Sequence, residues 1–297
     1  MSPTLRNLVK RTVQRVLHAV TWPLPAAGPR VLIYHSVDDI DSPISVSSEL
    51  FRQQMDYLVR RGFRTVSAGQ FVEALHRGEP LSPKTVVITF DDGYLNNIER
   101  ALPILEERGL CATVFMVTKN DGDLPRWGER DLPRIRRMVD EVYRGSDAEK
   151  EDAFQRTMAT LTERIATWDE LAPAPSRGLE ILSHTRTHPY MDEVDDDQLA
   201  DELRGSRQDL AERGFGESPA LAWPYGAHDD RTIAAATQAG YRGTFLAEPS
   251  WRRRKHPDPM RLARCSIDPD AGVFGLAFQL GRGYDVWAWL RSLRGGD

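Results

Sequence analysis

The chain has 297 residues, enough for two average domains or one large α/β barrel, and either can bury a full core. Its 39 Lys and Arg against 44 Asp and Glu leave a net charge of −5, which argues against a dedicated nucleic-acid binder. The 40% hydrophobic and 28% charged content is that of a globular chain, and two cysteines, Cys111 and Cys265, form no zinc ribbon or disulfide framework, favouring a reducing compartment.

Residues 1–37 carry Arg6, Lys10, Arg11, Arg15 and Arg30 with no acidic residue, while Leu5, Leu8, Val9, Val13, Val16, Leu17 and Val20 recur at helical spacing. That pattern predicts a basic amphipathic helix over 1–24. It suits packing on the domain, or lying on an anionic membrane surface with Trp22 as interfacial anchor. Arg15 and His18 interrupt any apolar run of signal-peptide length, and no stretch is apolar enough to span a bilayer. The expected location is cytoplasmic, peripheral on the inner face of the membrane.

From residue 25 onward, short β-branched runs alternate with amphipathic segments, the pattern of βα units. Strands are predicted at 31–34, 64–66, 85–90, 112–117, 179–183, 220–223, 242–246 and 262–267, and helices at about 48–61, 68–77, 95–108, 195–213 and 229–239. Gly62 and Gly109 sit just beyond two of these helices, as stop signals should. Seven or eight such units imply an irregular (β/α)7–8 barrel over 25–270. The charged, proline-bearing stretch 119–177 is too long for a βα loop and is expected to be a helical insertion over one face. A helical tail follows over 271–297, where Tyr284, Trp287 and Trp289 either cap the core or join the surface of the first helix.

In a parallel barrel the active site forms at the carboxyl ends of the strands. Four predicted strands end in reactive groups: His35 after 31–34; Asp91, Asp92 and Gly93 after 85–90; His184 and His188 after 179–183; and Pro224, Tyr225 and Gly226 after 220–223. Singly, each has an ordinary explanation as a turn or a core histidine. Together, at equivalent ends, they point to a site. His184 and His188, four positions apart, would project from one helical turn toward one metal, with Asp91 and Asp92 supplying a carboxylate ligand and a base. Position 185 is Thr, so this is not the zinc-protease form of the motif.

Thr89-Phe-Asp-Asp-Gly93, His184-Thr-Arg-Thr-His188 and Trp223-Pro-Tyr-Gly226 resemble the first three motifs of the NodB-like polysaccharide deacetylases, carbohydrate esterase family four. The resemblance runs from about Val31 to Ile267 and implies the polysaccharide-deacetylase type of barrel. It further implies metal-assisted hydrolysis of an N-acetyl group on an amino-sugar glycan, in exopolysaccharide biosynthesis. By it, Asp91 is the general base, Asp92, His184 and His188 hold a zinc ion, with cobalt and nickel as alternatives, and Tyr225, beside Pro224, lends its backbone N–H to an oxyanion hole.

Two positions depart from the common pattern. Many members begin the third motif with an arginine that orients the base, where this chain has Trp223; Arg261 or Arg264 is the candidate substitute. Many also draw their general acid from a histidine near the C-terminus, and none follows His256. His35, in Leu32-Ile-Tyr-His-Ser-Val37, takes that place, as in the permuted branch containing the poly-β-1,6-N-acetylglucosamine deacetylases. An imidazole can protonate a leaving amine near neutral pH. The expected partner is an N-acetylated glycan, polymeric or lipid-linked. The competing readings are a deformylase or deacylase of a lipid-linked aminosugar, and a catalytically silent carbohydrate-binding barrel. Phe115, Trp127, Trp168 and Trp251 are read as core aromatics before sugar platforms.

Overall fold

The β-branched runs become the strands of one curled parallel sheet. The computed structural model describes residues 3–21, 28–40, 42, 44–119, 132–142, 146–158, 163–247 and 258–292; Trp22, Trp127, Trp251 and His256 lie outside the described residues. β1 (Arg30–Tyr34) pairs on one side with β5 (Thr85–Phe90), placing Leu32 opposite Ile88. A small parallel pair, β2 (Ser36–Val37) and β3 (Ser45–Val46), leads off the end of β1. β5 meets β4 (Arg64–Thr65) at its start and β6 (Ala112–Met116) at its end. The sheet continues through β7 (Leu179–Ser183), β8 (Ala220–Ala222) and β9 (Gly243–Phe245), and β10 (Cys265–Ser266) returns to β1. Phe245 bridges Leu262 in parallel, with Leu246 N–H donating to Leu262 C=O at 2.8 Å. The segment 262–266 therefore touches β9 at one end and β1 at the other, curling the sheet toward closure.

Every residue of β5 is buried, as expected for a strand covered on both faces. Successive side chains point to opposite faces. Val31, Val87, Phe115, Leu182, Ala222 and Phe245 fill the interior, while Leu32, Val86, Ile88, Val114 and Ile181 face outward. α2 (Ser48–Arg60) covers the outer layer with Phe51, Met55 and Leu58. α3 (Ala68–His76) packs on the interior layer instead; its Ala68 and Gly69 N–H groups donate to Thr113 Oγ1 and Glu180 Oε2 near the starts of β6 and β7.

Two of the predicted helices contain a π-helical turn. Asn97–Ala101 precedes α4 (Leu102–Glu106), and Asp201–Gly205 joins α8 (Asp196–Ala200) to α9 (Ser206–Glu212). Such turns recur at functional sites because one extra residue re-aims the side chains around it. α10 (Asp230–Gln238) follows β8, its first turn capped by Asp229.

The insertion is helical where described, with α5 (Leu132–Val142), α6 (Asp147–Met158) and the short α7 (Trp168–Leu171). α5 and α6 share Ile135, Val139, Ala153 and Phe154, a small core on which Tyr225 rests. Both ends of the insertion are tied to the strand ends. Thr118 and Lys119 N–H donate to the carbonyls of Thr185 and Arg186; on return, Ala166 N–H donates to Gly93 and Leu95 N–H to Arg164. Trp168 packs on Phe215 and Phe115 on Phe245, so both are core aromatics.

α1 (Pro3–Thr21) packs against α12 (Arg282–Ser292), and Leu17 and Trp287 join the main core while His18 meets Phe274 edge-on at 5.4 Å. α11 (Gly272–Leu280) links α12 to the barrel. The tail thus caps the core, with Tyr284 8% exposed.

Gly93 has φ +87°, and a Cβ there would run into Met116 Sδ. Gly93→Ala is expected to lower stability by about 1–3 kcal/mol in denaturant unfolding; wild-type stability would contradict this placement.

Candidate active site

β1, β5, β7 and β8 deliver their terminal residues to one end of the barrel. At the end of β5, Asp91 keeps the strand register, its N–H donating to Tyr34 C=O at 3.0 Å. Asp92 (φ 72°) and Gly93 then turn left-handed, a sharp reversal that turns Asp91 to a guanidinium and Asp92 to His188. His184 Nε2 lies between them, 3.9 Å from Asp91 Oδ2 and 3.8 Å from Asp92 Oδ1.

Asp91 faces Arg264. The guanidinium donates through Nη1 to Oδ1 at 2.6 Å and through Nη2 to Oδ2 at 2.8 Å, a bidentate fork. Arg264 is fully buried and also donates to Thr89 Oγ1 and Leu246 C=O. Burial works to raise the Asp91 pKa, but Arg264, His184 and His35 outweigh it and hold the carboxyl below its ordinary range. Of the two arginines suggested by sequence, the structure places Arg264 here. Arg261 lies at the surface on Asp230 and Asp258.

Asp92 faces the histidines. His188 Nε2 is 3.3 Å and His184 Nε2 3.8 Å from Asp92 Oδ1, with all three residues buried. His184 Nδ1 lies 2.7 Å from Ala222 C=O, an acceptor only, so Nδ1 carries the proton and Nε2 presents its lone pair. Burial lowers the His184 pKa, partly offset by Asp91 and Asp92, which favours the neutral ring. The ligand-type atoms of Asp92, His184 and His188 all lie within 4.8 Å of one another. Two imidazoles and one carboxylate, converging where all three are buried, form a donor set that fits a divalent ion with open positions.

The helical turn expected across His184–His188 does not form. Thr185 (φ 66°) and His188 (φ 61°) take the left-handed region instead. Pro189 denies His188 the right-handed helical region, and buried Glu202 gathers the loop from outside. Its Oε2 accepts from Arg186 N–H at 2.8 Å and Thr187 N–H at 2.9 Å, and its Oε1 accepts from the Thr187 hydroxyl. Thr185 Oγ1 then accepts from His188 N–H. Sequence reasoning missed Glu202, although an acid amid the buried Leu199, Leu203 and Leu210 of one helical stripe was a signal.

At the end of β8, Trp223 and Pro224 are buried and Tyr225 is left-handed (φ 58°). The Tyr225 ring meets His188 edge-on at 4.6 Å and stacks on Tyr190 at 4.1 Å. Among the described residues, Asp92, Thr185, His188 and Tyr225 are the non-glycines with positive φ, and all four are at this site. His35 follows β1; Asn97 Nδ2 donates to its carbonyl at 2.8 Å.

Removing Arg264 leaves a buried carboxylate uncompensated. Arg264→Met is expected to cost about 3–5 kcal/mol by denaturant unfolding. Adding Asp91→Asn to that variant should recover part of the loss, and simple additivity of the two would contradict the pairing.

Residues 78–244, more than half of the chain, match the family described as polysaccharide deacetylase. A Bacillus subtilis (strain 168) protein, YxkH, assigned by name to the polysaccharide deacetylases, is 26% identical over 86% of this chain and 75% of its own length. The poly-β-1,6-N-acetyl-D-glucosamine N-deacetylase of Escherichia coli (strain K12) is 38% identical over 57% of this chain, which spans only 22% of that protein. In fold, the chain is similar to the Streptococcus pyogenes deacetylase PplD, solved with acetate, with a TM-score of 0.66 at 20% identity, covering 86% of this chain and 99% of that one. This chain, with its curled barrel and its paired aspartates and histidines, belongs to the polysaccharide deacetylase family.

Proposed function

We propose that the chain hydrolyses an N-acetyl group on an amino-sugar-containing glycan, using a divalent ion held by Asp92, His184 and His188. Zinc is the first candidate, cobalt and nickel the alternatives. The observation that carries this reading is the split between neighbouring carboxylates, Asp91 forked by the Arg264 guanidinium and Asp92 set 3.3 Å from His188 Nε2 and within ligand distance of both imidazoles. Two like groups driven into different environments mark different roles. A bound divalent ion would lower the pKa of water and polarise an acyl oxygen.

The other steps fall to the chain itself. Asp91, ionised and clamped by Arg264, accepts the proton of the attacking water. Tyr225, positioned after Pro224, donates its backbone N–H to the developing oxyanion. His35, at the end of β1, protonates the departing amine so that the C–N bond can break. The E. coli relative's named substrate makes β-1,6-linked N-acetylglucosamine the first glycan to try.

The test is acetate release from N-acetylglucosamine oligomers in the presence of zinc. Asp91→Asn and His184→Ala are expected to lower the rate by about 100-fold or more, and His35→Ala by about 100-fold, in line with the loss of a base, an electrophile and an acid. Formate release from an N-formylated, lipid-linked aminosugar in place of acetate would move the reading to a deformylase. Failure of the wild type to bind zinc, cobalt or nickel on reconstitution would leave a silent carbohydrate-binding barrel.

A membrane-surface location is proposed on a separate observation. Val13, Val16 and Val20 form an exposed stripe on α1, Val286 and Leu290 of the adjacent α12 are exposed as well, and the α1 sequence is basic without acids. No helix among the described residues is long and apolar enough to cross a membrane. The protein is expected to co-sediment with phosphatidylglycerol-containing vesicles but not with neutral ones, and Val16→Asp/Val20→Asp to abolish this. Unchanged sedimentation of that variant would refute the surface.

A further inference from the structure

We propose that Glu163 is a positioning residue for His35, a role that rests on His35 being the proton donor of the reaction. Glu163 stands where the insertion re-enters the barrel, one residue before the segment that bonds to Gly93 and Leu95. Its side chain turns to the chain that carries His35. Oε1 accepts from Ser36 Oγ at 3.0 Å, and Oε2 accepts from Asn96 Nδ2 at 2.5 Å. The same Asn96 amide donates to Ser36 Oγ at 3.0 Å, and its Oδ1 accepts from Val37 N–H at 3.2 Å. Ser36 Oγ lies 3.0 Å from Ser45 Oγ, which joins β2 to β3, while neighbouring Asn97 holds the His35 carbonyl. Three consecutive residues, His35, Ser36 and Val37, are thus each gripped by one buried cluster.

Glu163 closes that cluster. Ser36, Ser45 and Asn97 are 3% exposed or less, and Glu163 is 8% exposed. A carboxylate so placed loses much of its hydration and is tolerable only while its hydrogen bonds are made. The nearby cation, Arg100, pairs with Asp38 and Asp39. Ser36 and Asn96 therefore both constrain Glu163 and are constrained by it. Losing the carboxylate removes one partner each from Ser36 Oγ and the Asn96 amide, so the two side chains that brace the backbone leading out of His35 are loosened at once. The imidazole then samples positions off the path to the leaving nitrogen, and a displacement of that order can cost about 100-fold in rate.

The consequence is specific to substrates that need a proton on the leaving group. Glu163→Ala is expected to lower kcat for acetate release from N-acetylglucosamine oligomers by about 10–100-fold, with KM within about twofold. On p-nitrophenyl acetate, whose leaving group departs as a stabilised phenolate, Glu163→Ala should stay within about threefold of wild type. Glu163→Gln can offer Oε1 to Asn96 and its amide N–H to a Ser36 lone pair, and should restore most of the rate. The double variant Glu163→Ala/His35→Ala should be no slower than His35→Ala alone. Equal slowing of both substrates, or the same factor lost again in the His35→Ala background, would overturn the proposal. If His35→Ala alone keeps the wild-type amide rate, the assignment of His35 fails instead, and the two failures are distinguishable. Should Glu163→Ala not fold, Ser36→Ala cuts the Oε1 link and is read against the same outcomes.

Discussion

A buried guanidinium makes the rest of this site possible. Asp91 and Asp92 are adjacent in sequence and both lie out of water, where two like charges cannot easily coexist. The Arg264 fork compensates Asp91, leaving Asp92 for the two imidazoles. The pair also depends on the whole barrel. Arg264 sits in the segment that touches β9 at Leu262 and β1 at Cys265, so it reaches Asp91 only when the sheet has curled round. The last strand is therefore part of the site as well as of the fold.

The loops at the strand ends are strained and need bracing. Left-handed Asp92, Thr185, His188 and Tyr225 each oppose the preference of a side-chain-bearing residue. The brace is acidic in two places: Glu202 collects the N–H groups of the 184–188 loop, and Glu163 ties together the residues after His35. Both sit beside elements with irregular geometry, Glu202 within a π-helical turn and Asn96, the partner of Glu163, just before another. The insertion is bonded at one end to the His184–His188 loop and at the other to Gly93–Leu95.

Much of this was legible in the sequence, for a physical reason. Buried parallel strands need uninterrupted β-branched and apolar runs, so 85–90 and 179–183 could be bounded to the residue, and the side chains just past the end of such runs lie at the functional end of a barrel. The hidden features depended on contacts between distant segments. Arg261 and Arg264 look alike in a sequence, and only the strand register around Leu262 and Cys265 sends one to Asp91 and the other to the surface. The four-residue spacing of His184 and His188 suggested a helical turn, but Pro189 and a carboxylate fourteen positions beyond His188 fold a tight left-handed loop that serves the same convergence. Glu163 lies in a charged stretch with no periodicity to mark it.

The central claim is the division of labour between the two aspartates, and a zinc-soaked crystal measured at the zinc absorption edge tests it directly. The account predicts one anomalous peak at bonding distance from Asp92, His184 and His188, with Asp91 still forked onto Arg264. A peak ligated by Asp91, or an Asp91 carboxylate released from Arg264 when the metal binds, would contradict it.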